Sequence, residues 1–294
     1  MAELSSDARE NYREAGRILA QVLDEAADRV EVGASLLDVA EFAEDRVREL
    51  GGEPAFPCNI SVNEEASHAT PGPGDDATFG EDVVCLDVGV HVEGYIADAA
   101  RTVDLSGTPE LVEAAEAALE AAIDAVEPGA HTGEIGARVG ETIDEYGYNP
   151  IVNLTGHGLA RYDAHTGPNV PNRGTRSGVE LEVGDVVAIE PFATTGSGKV
   201  TEGGTAEIYS VVEDRRVRDR SARQLLEEVQ ETYRELPFAR RWLEGTRTEM
   251  SLRRLTRAGA CRSYPVLKED AGELVSQAEH TLVVTEEGCD VTTR

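Results

Sequence analysis

Two aspartates stand where a β-hairpin normally places apolar or neutral side chains. In "VVCLDVGVHVEGYIADAARTVDL", residues 83–105, two β-branched runs join through a Gly-containing turn, and each run carries one acid, Asp87 and Asp98. A turn near Val92-Glu93 sets these two opposite one another, with Cβ atoms roughly 4.5–5.5 Å apart. Two anions at that separation repel, and burying them costs several kcal/mol per ion, so a positive charge belongs between them. A slip of one residue would turn one of them to solvent. A second copy of the pattern argues against such a slip. "DVVCLD" at 82–87 parallels "DVVAIE" at 185–190, which puts Glu190 in the place of Asp87, and "SQAEHTLVVT" offers Glu279 as the counterpart of Asp98. His157, in "NLTGHGL", lies between two glycines that permit close backbone approach. One imidazole and four carboxylates, with no thiolate, suit two divalent ions of the Mn, Fe, Co or Zn kind. A pair of ions ~3.5–4 Å apart lowers the pKa of a shared water and polarises a carbonyl, which is the chemistry of a hydrolase.

The elements that must bring these groups together are legible as periodicities. Apolar positions from Ala8 to Ala26 follow a helical period, and a second helix follows Ser35 as N-cap and ends before Gly51-Gly52. Thr108-Pro109 opens a third, running to about Val126, and a fourth runs from about Thr132 to Tyr146. "VEVGASLLDVAEFAEDRVRELG", from Val30, aligns without gaps on "VEPGAHTGEIGARVGETIDEYG", from Val126, and each copy leads into an extended apolar stretch. Together with the two carboxylate-ending runs, in the same chain order, this is an internal duplication. It predicts two pseudo-equivalent halves, each with helices packed on an antiparallel sheet, and a site between them. Residues 213–272, rich in Arg and Glu and holding the single tryptophan, Trp242, fall outside the repeat. They read as a helical subdomain inserted into a single domain of residues 1–294.

Composition narrows the partners. The chain has 57 acidic and 27 basic residues, a net charge of −30, and only two lysines, Lys199 and Lys268. Such a surface repels nucleic acid phosphates and acidic membranes, which excludes both as direct ligands. Self-repulsion of this size is tolerable where salt screens it, since at ~1 M ionic strength the Debye length is roughly 3 Å; a salt-adapted cytosol follows. No segment approaches the ~20 apolar residues of a membrane span, so the expected location is cytoplasmic. Cys58, Cys85, Cys261 and Cys289 lack CxxC spacing and read as reduced structural thiols. "TTGSGKV" is similar to a phosphate-binding loop, but Ala193 stands at its first glycine and Val200 at its Ser or Thr, so it is read as a Gly-rich turn.

The segments "AFPCNISVNEEASHATPGPGDD", "LDVGVHVEGYIADAARTV", "LTGHGLARYDAHTGPNVPN", "VVAIEPFATTGSGKV" and "AEHTLVVTEEG" follow one another over nearly the whole chain. In content and order the chain resembles the type 2 methionine aminopeptidases. The resemblance implies an α+β pita-bread fold, in which two pseudo-symmetric halves carry helices on a central curved antiparallel sheet. It implies that Asp87 binds one divalent ion, that Asp98 and Glu279 bridge both, and that His157 and Glu190 bind the other. Glu190 would also shuttle the proton, His68 and His165 would contact the scissile amide, and Phe56 would line the methionine pocket. The helical insertion between Glu190 and Glu279 resembles that of type 2 enzymes, and the missing N-terminal extension resembles the archaeal version. The substrates would be N-termini of nascent polypeptides, met at the ribosome, with the protein itself a monomer; Met1, followed by the small Ala2, would be one of them. Two other readings share this fold: an Xaa-Pro peptidase, and a binding protein that has lost its metals.

Overall fold

The computed structural model describes residues 4–212, 215, 217–245 and 247–294. The first apolar stripe forms α1 (Ser6–Ala27), opened by Ser5, whose Oγ accepts from the Ala8 N–H at 3.2 Å, and it buries the Tyr12, Ile18, Leu19 and Val22 face. Next, α2 (Leu36–Glu49) starts where Ser35 Oγ accepts from the Asp38 N–H. Both helices pack on an antiparallel sheet of β1 (Glu53–Val62), β2 (Val83–Val92) and β3 (Tyr95–Asp104), with β2 in the middle. In the second half, α3 (Pro109–Ile123) and α4 (Thr132–Glu145) cover a five-stranded sheet. Its strands are β4 (Thr155–Ala160), β5 (Asp163–Pro171), β6 (Val186–Ile189), β7 (His280–Thr285) and β8 (Gly288–Val291), in the order β8-β7-β6-β4-β5. Helix α3 stops short of Val126, and Thr108 makes no capping bond because its hydroxyl pairs with Ser106 Oγ at 2.6 Å.

The β2–β3 hairpin turns on Glu93-Gly94, one residue later than the sequence suggested. Both residues have positive φ, 54° and 87°, the geometry that matches strand twist in two-residue hairpins. Val92 therefore pairs with Tyr95, Asp87 with Ala100, and Asp98 with Gly89. The two aspartates are thus not directly opposed, as expected, but displaced by two residues. A shift of two preserves the face, since side chains alternate with period two, and it widens the pair to a diagonal of roughly 7–8 Å.

Strands β6 and β7 repeat this pairing with different residues. His280 pairs with Ile189 and Thr281 with Ala188. That register sets Glu279 beside Glu190, where Ala100 lies beside Asp87. The counterpart of Asp98 is accordingly Gln277, not Glu279 as the sequence suggested. A reciprocal set of bonds locks the halves together. Thr281 Oγ1 accepts from the Asp98 N–H and donates to the Asp98 carbonyl, both at 2.8 Å. Thr102 Oγ1 accepts from the Gln277 N–H at 3.0 Å and donates to its carbonyl at 2.7 Å. Between them the Glu279 N–H donates to the Ala100 carbonyl at 3.1 Å.

Between β6 and β7 lie α5 (Arg220–Tyr233) and α6 (Thr248–Ala258), packed on a small sheet of Ile208–Val211, Phe238–Ala239 and Cys261–Tyr264. The start expected at residue 213 falls outside the described residues, as do Met1 and Ala2. This region is tied back to the first half by a buried ion pair between Arg241 and Glu44 of α2. Trp242 Nε1 donates to the same carboxylate at 2.7 Å, and Arg241 donates to Thr70 Oγ1 at 2.7 Å and to the Pro71 carbonyl at 3.0 Å. In the Gly-rich turn, Gly198 N–H and Ser197 Oγ donate to Glu269, so an internal carboxylate takes the donors that a phosphate would need. The four cysteines are free thiols. Among the described residues no helix is long and apolar enough to cross a membrane.

The reciprocal threonine bonds give a first prediction. Thr281→Val leaves the buried Asp98 N–H without an acceptor and should cost about 1–3 kcal/mol, read as a lowered urea midpoint. Thr102→Val should cost a similar amount through Gln277. Full retention of stability in both would contradict the clamp.

Candidate metal centre

Strands β2, β3 and β4, the residue after β6 and the residue before β7 each deliver one ionisable group to the crevice between the halves. Asp98, His157 and Glu279 are 3%, 6% and 2% exposed, and one ligand atom from each lies within 4.8 Å of the others. His157 Nε2 is 3.7 Å from Asp98 Oδ2 and 3.6 Å from Glu190 Oε1. Its Nδ1 is 3.3 Å from the Gly158 carbonyl, which places the ring proton on Nδ1 and aims the Nε2 lone pair at the carboxylates. The flanking glycines make this approach possible: a Cβ on Gly156 would meet the Ala188 carbonyl oxygen at 2.4 Å, and one on Gly158 the Gly167 carbonyl oxygen at 2.2 Å. Asp87 lines the same cavity and accepts from Asn59 Nδ2 at 3.0 Å.

Two amide side chains here escaped the sequence reading. Besides Asn59, Gln277 Nε2 donates to Glu279 Oε2 at 3.2 Å and to Glu190 Oε2 at 3.4 Å. Its Oε1 accepts from the Cys85 thiol at 3.2 Å, which fixes the amide orientation. The signal was its place two residues before Glu279, on the same strand face.

Burial sets the electrostatics. It pushes the Asp87 carboxyl up to about 6. Asp98, Glu190 and Glu279 are raised well above the usual range, first by burial and then by the charges of their acidic neighbours. His157 is held down to about 4 by burial, and His165 to about 3 by burial and then by His157 and His68. Burial lowers His68 as well, so all three histidines are neutral near pH 7, and the carboxylates together need protons or cations. Divalent cations fit this donor set. Asp87 Oδ1 and Asp98 Oδ1 are buried without a hydrogen-bond partner, the His157 lone pair points among the acids, and among the described residues neither Lys nor Arg lines the cavity.

The cavity holds about 250 Å³. Phe56, Leu154 and Phe192 form an apolar part of its wall, and His68 and His165 a polar part. The His165 ring lies 4.2 Å from that of His157. His68 has φ of +62°, a strained conformation for a non-glycine, and its ring packs edge-on to Tyr264 at 5.3 Å. Ile208, Pro237, Tyr264 and Leu267, from the region between β6 and β7, complete the wall. No cue to these four is legible in the residue pattern, because nothing in it says which face of that region meets the crevice.

Comparisons with known proteins agree with this chemistry. The chain matches the description of Metallopeptidase family M24 over residues 10–286. It is 52% identical to a methionine aminopeptidase of Archaeoglobus fulgidus, over 99% of this chain and 100% of the relative. A crystal structure of methionine aminopeptidase from Thermotoga maritima superposes with a TM-score of 0.73 at 25% identity, covering 100% of this chain and 99% of the other. A thermophilic Arx1 superposes with a TM-score of 0.85 at 20% identity, covering 98% and 91%; at that identity the likeness speaks for the fold alone.

A carboxyl whose folded-state pKa lies above its unfolded value favours folding at low pH and loses that contribution as pH rises through the folded value. For Asp87 the window runs from about 4 to about 6. In cation-free protein at high salt, Asp87→Asn should match the parent at pH 4 and exceed its stability above pH 6 by up to about 3 kcal/mol. The buried histidines act with the opposite sign but equally in both proteins, and cancel in the difference. Adding Mn should reverse the order at pH 7; a difference independent of pH and metal in urea titrations would contradict the charge balance described.

Proposed function

The chain belongs to metallopeptidase family M24, and we propose on that premise that its crevice removes the N-terminal methionine of polypeptides with two divalent ions held by Asp87, Asp98, His157, Glu190 and Glu279. The observation that carries the activity, methionyl aminopeptidase, is the 52% identity to a methionine aminopeptidase along both entire lengths. The carboxylate cluster supports the chemistry. Asp87 would hold one ion, His157 and Glu190 would hold the other, and Asp98 and Glu279 would serve both. When bound, such ions supply Lewis acidity, lowering the pKa of a water and polarising the scissile carbonyl.

The remaining work falls to this chain's own side chains. Glu190 takes the proton from the attacking water and delivers it to the leaving amine; burial and acidic neighbours raise its proton affinity, which suits that task. His165, neutral in the cavity wall, donates its N–H to the scissile amide, whereas His68, also neutral, spends its Nδ1–H on the Pro265 carbonyl at 3.3 Å and meets the amide with Nε2 as an acceptor. Phe56, with Leu154 and Phe192, receives the methionine thioether, a polarizable group suited to an aromatic wall. The region between β6 and β7 acts as the inserted helical subdomain of a type 2 enzyme and closes the cavity with Tyr264 and Leu267. The acidic, lysine-poor composition supports a salt-rich cytoplasm, with nascent chains met at the ribosome by a monomeric enzyme.

Cation-free protein refilled in high salt with Mn, Fe, Co or Zn singly should cleave Met-Ala peptides and leave Xaa-Pro peptides intact. Asp87→Ala should abolish this, and Glu190→Gln should lower kcat by about 10²- to 10⁴-fold. Preferred cleavage of Xaa-Pro would instead assign the other peptidase class, and failure to bind any metal would assign a binding protein.

A further inference from the structure

Among the described residues, three side-chain atoms in the cavity lining are buried without a hydrogen-bond partner: Asp87 Oδ1, Asp98 Oδ1 and Asn59 Oδ1. A cation answers the charge of the first two. The third is a neutral carbonyl on a residue only 5% exposed, and leaving it unpaired costs about 1–3 kcal/mol. Resting on the aminopeptidase reading, we propose that Asn59 Oδ1 accepts a hydrogen bond from the substrate's free α-amine, while its Nδ2 holds Asp87.

The amide orientation is determined. Nδ2 lies 3.0 Å from Asp87 Oδ2, and an ionised carboxylate only accepts, so the oxygen is the amide atom left without a partner on this lining residue. The backbone is shaped to bring it there. Phe56 and Asn59 are three positions apart, so in a regular strand they would face opposite sides. The register slips by one residue between them, from Phe56 beside Gly89 to Asn59 beside Asp87, and this bulge turns both toward the cavity. A methionine's side chain and α-amine leave the same carbon, so the side-chain wall and the amine acceptor must be neighbours, as Phe56 and Asn59 are. Two other polar side chains of the lining are committed elsewhere. Asn153 exchanges two bonds with Val200, at 2.8 and 3.0 Å, and the Tyr264 hydroxyl pairs with Ser210 Oγ at 3.0 Å. A neutral acceptor has a further merit beside four carboxylates: it recognises N–H groups without drawing another cation.

The test uses Mn-loaded protein and two competitive ligands, methioninamide and 4-(methylthio)butanamide, its analogue without the amine. The parent should bind methioninamide more tightly. In Asn59→Ala that preference should shrink on the order of 10- to 100-fold, the range for a hydrogen bond to an amine that carries charge. Equal weakening of both ligands would reduce Asn59 to a support for Asp87 and overturn the proposal, as would an unchanged preference. If Asn59→Ala does not fold, the Zn-loaded parent decides: the Asn59 carbonyl carbon should shift in NMR spectra with methioninamide and not with the analogue, and identical spectra would overturn the proposal. Absence of Met-Ala cleavage by the parent would count against the activity itself, whereas cleavage with an unchanged amine preference in Asn59→Ala sinks only the role of Asn59.

Discussion

Four carboxylates share one crevice with three imidazoles and, among the described residues, neither Lys nor Arg, and burial forces each acid toward its protonated form. Two relations keep this assembly from being a defect. Bound cations would compensate the acids, and the amides of Asn59 and Gln277 donate into the set without adding charge. Removing water strengthens every attraction inside such a site, and equally the cost of any group left alone. The strands must therefore hold these side chains in register to a fraction of an ångström, and the rest of the fold can be understood from that demand.

The reciprocal bonds of Thr102 and Thr281 meet it. Each threonine hydroxyl serves as acceptor and donor to one residue of the opposite half, so the two hairpins are fixed against each other at the point where the ligand residues lie. Duplication supplied the symmetry, and the site depends on its violation. Were Gln277 an aspartate like its counterpart Asp98, the crevice would hold a fifth acid with no donor to orient Glu190 and Glu279.

Much of this could be read before any coordinates. The helices were legible because their apolar periods and Ser35 signal act locally, and the duplication was legible because "DVVCLD" and "DVVAIE" keep their order. What failed was register. The Glu93-Gly94 turn shifts the pairing of Asp87 and Asp98 by two, and the equivalence of Gln277 with Asp98 depends on two such registers at once. Asn59 was invisible because a bulge, which no side-chain pattern announces, cancels the alternation that would have turned it away. His68 and His165 came from resemblance alone, since a loop histidine carries no mark of the cavity it enters.

The Arg241–Glu44 pair has a bearing on how this enzyme can change. Arg241 grips the Thr70-Pro71 turn, two residues beyond His68, while its partner anion sits under α2. A lineage that trimmed the helical region would therefore strip Glu44 of its counterion and loosen the loop that carries His68 in the same stroke. Loss of that appendage is accessible only after Glu44 has been replaced, so the order of substitutions, and not merely their number, separates forms with the appendage from forms without it.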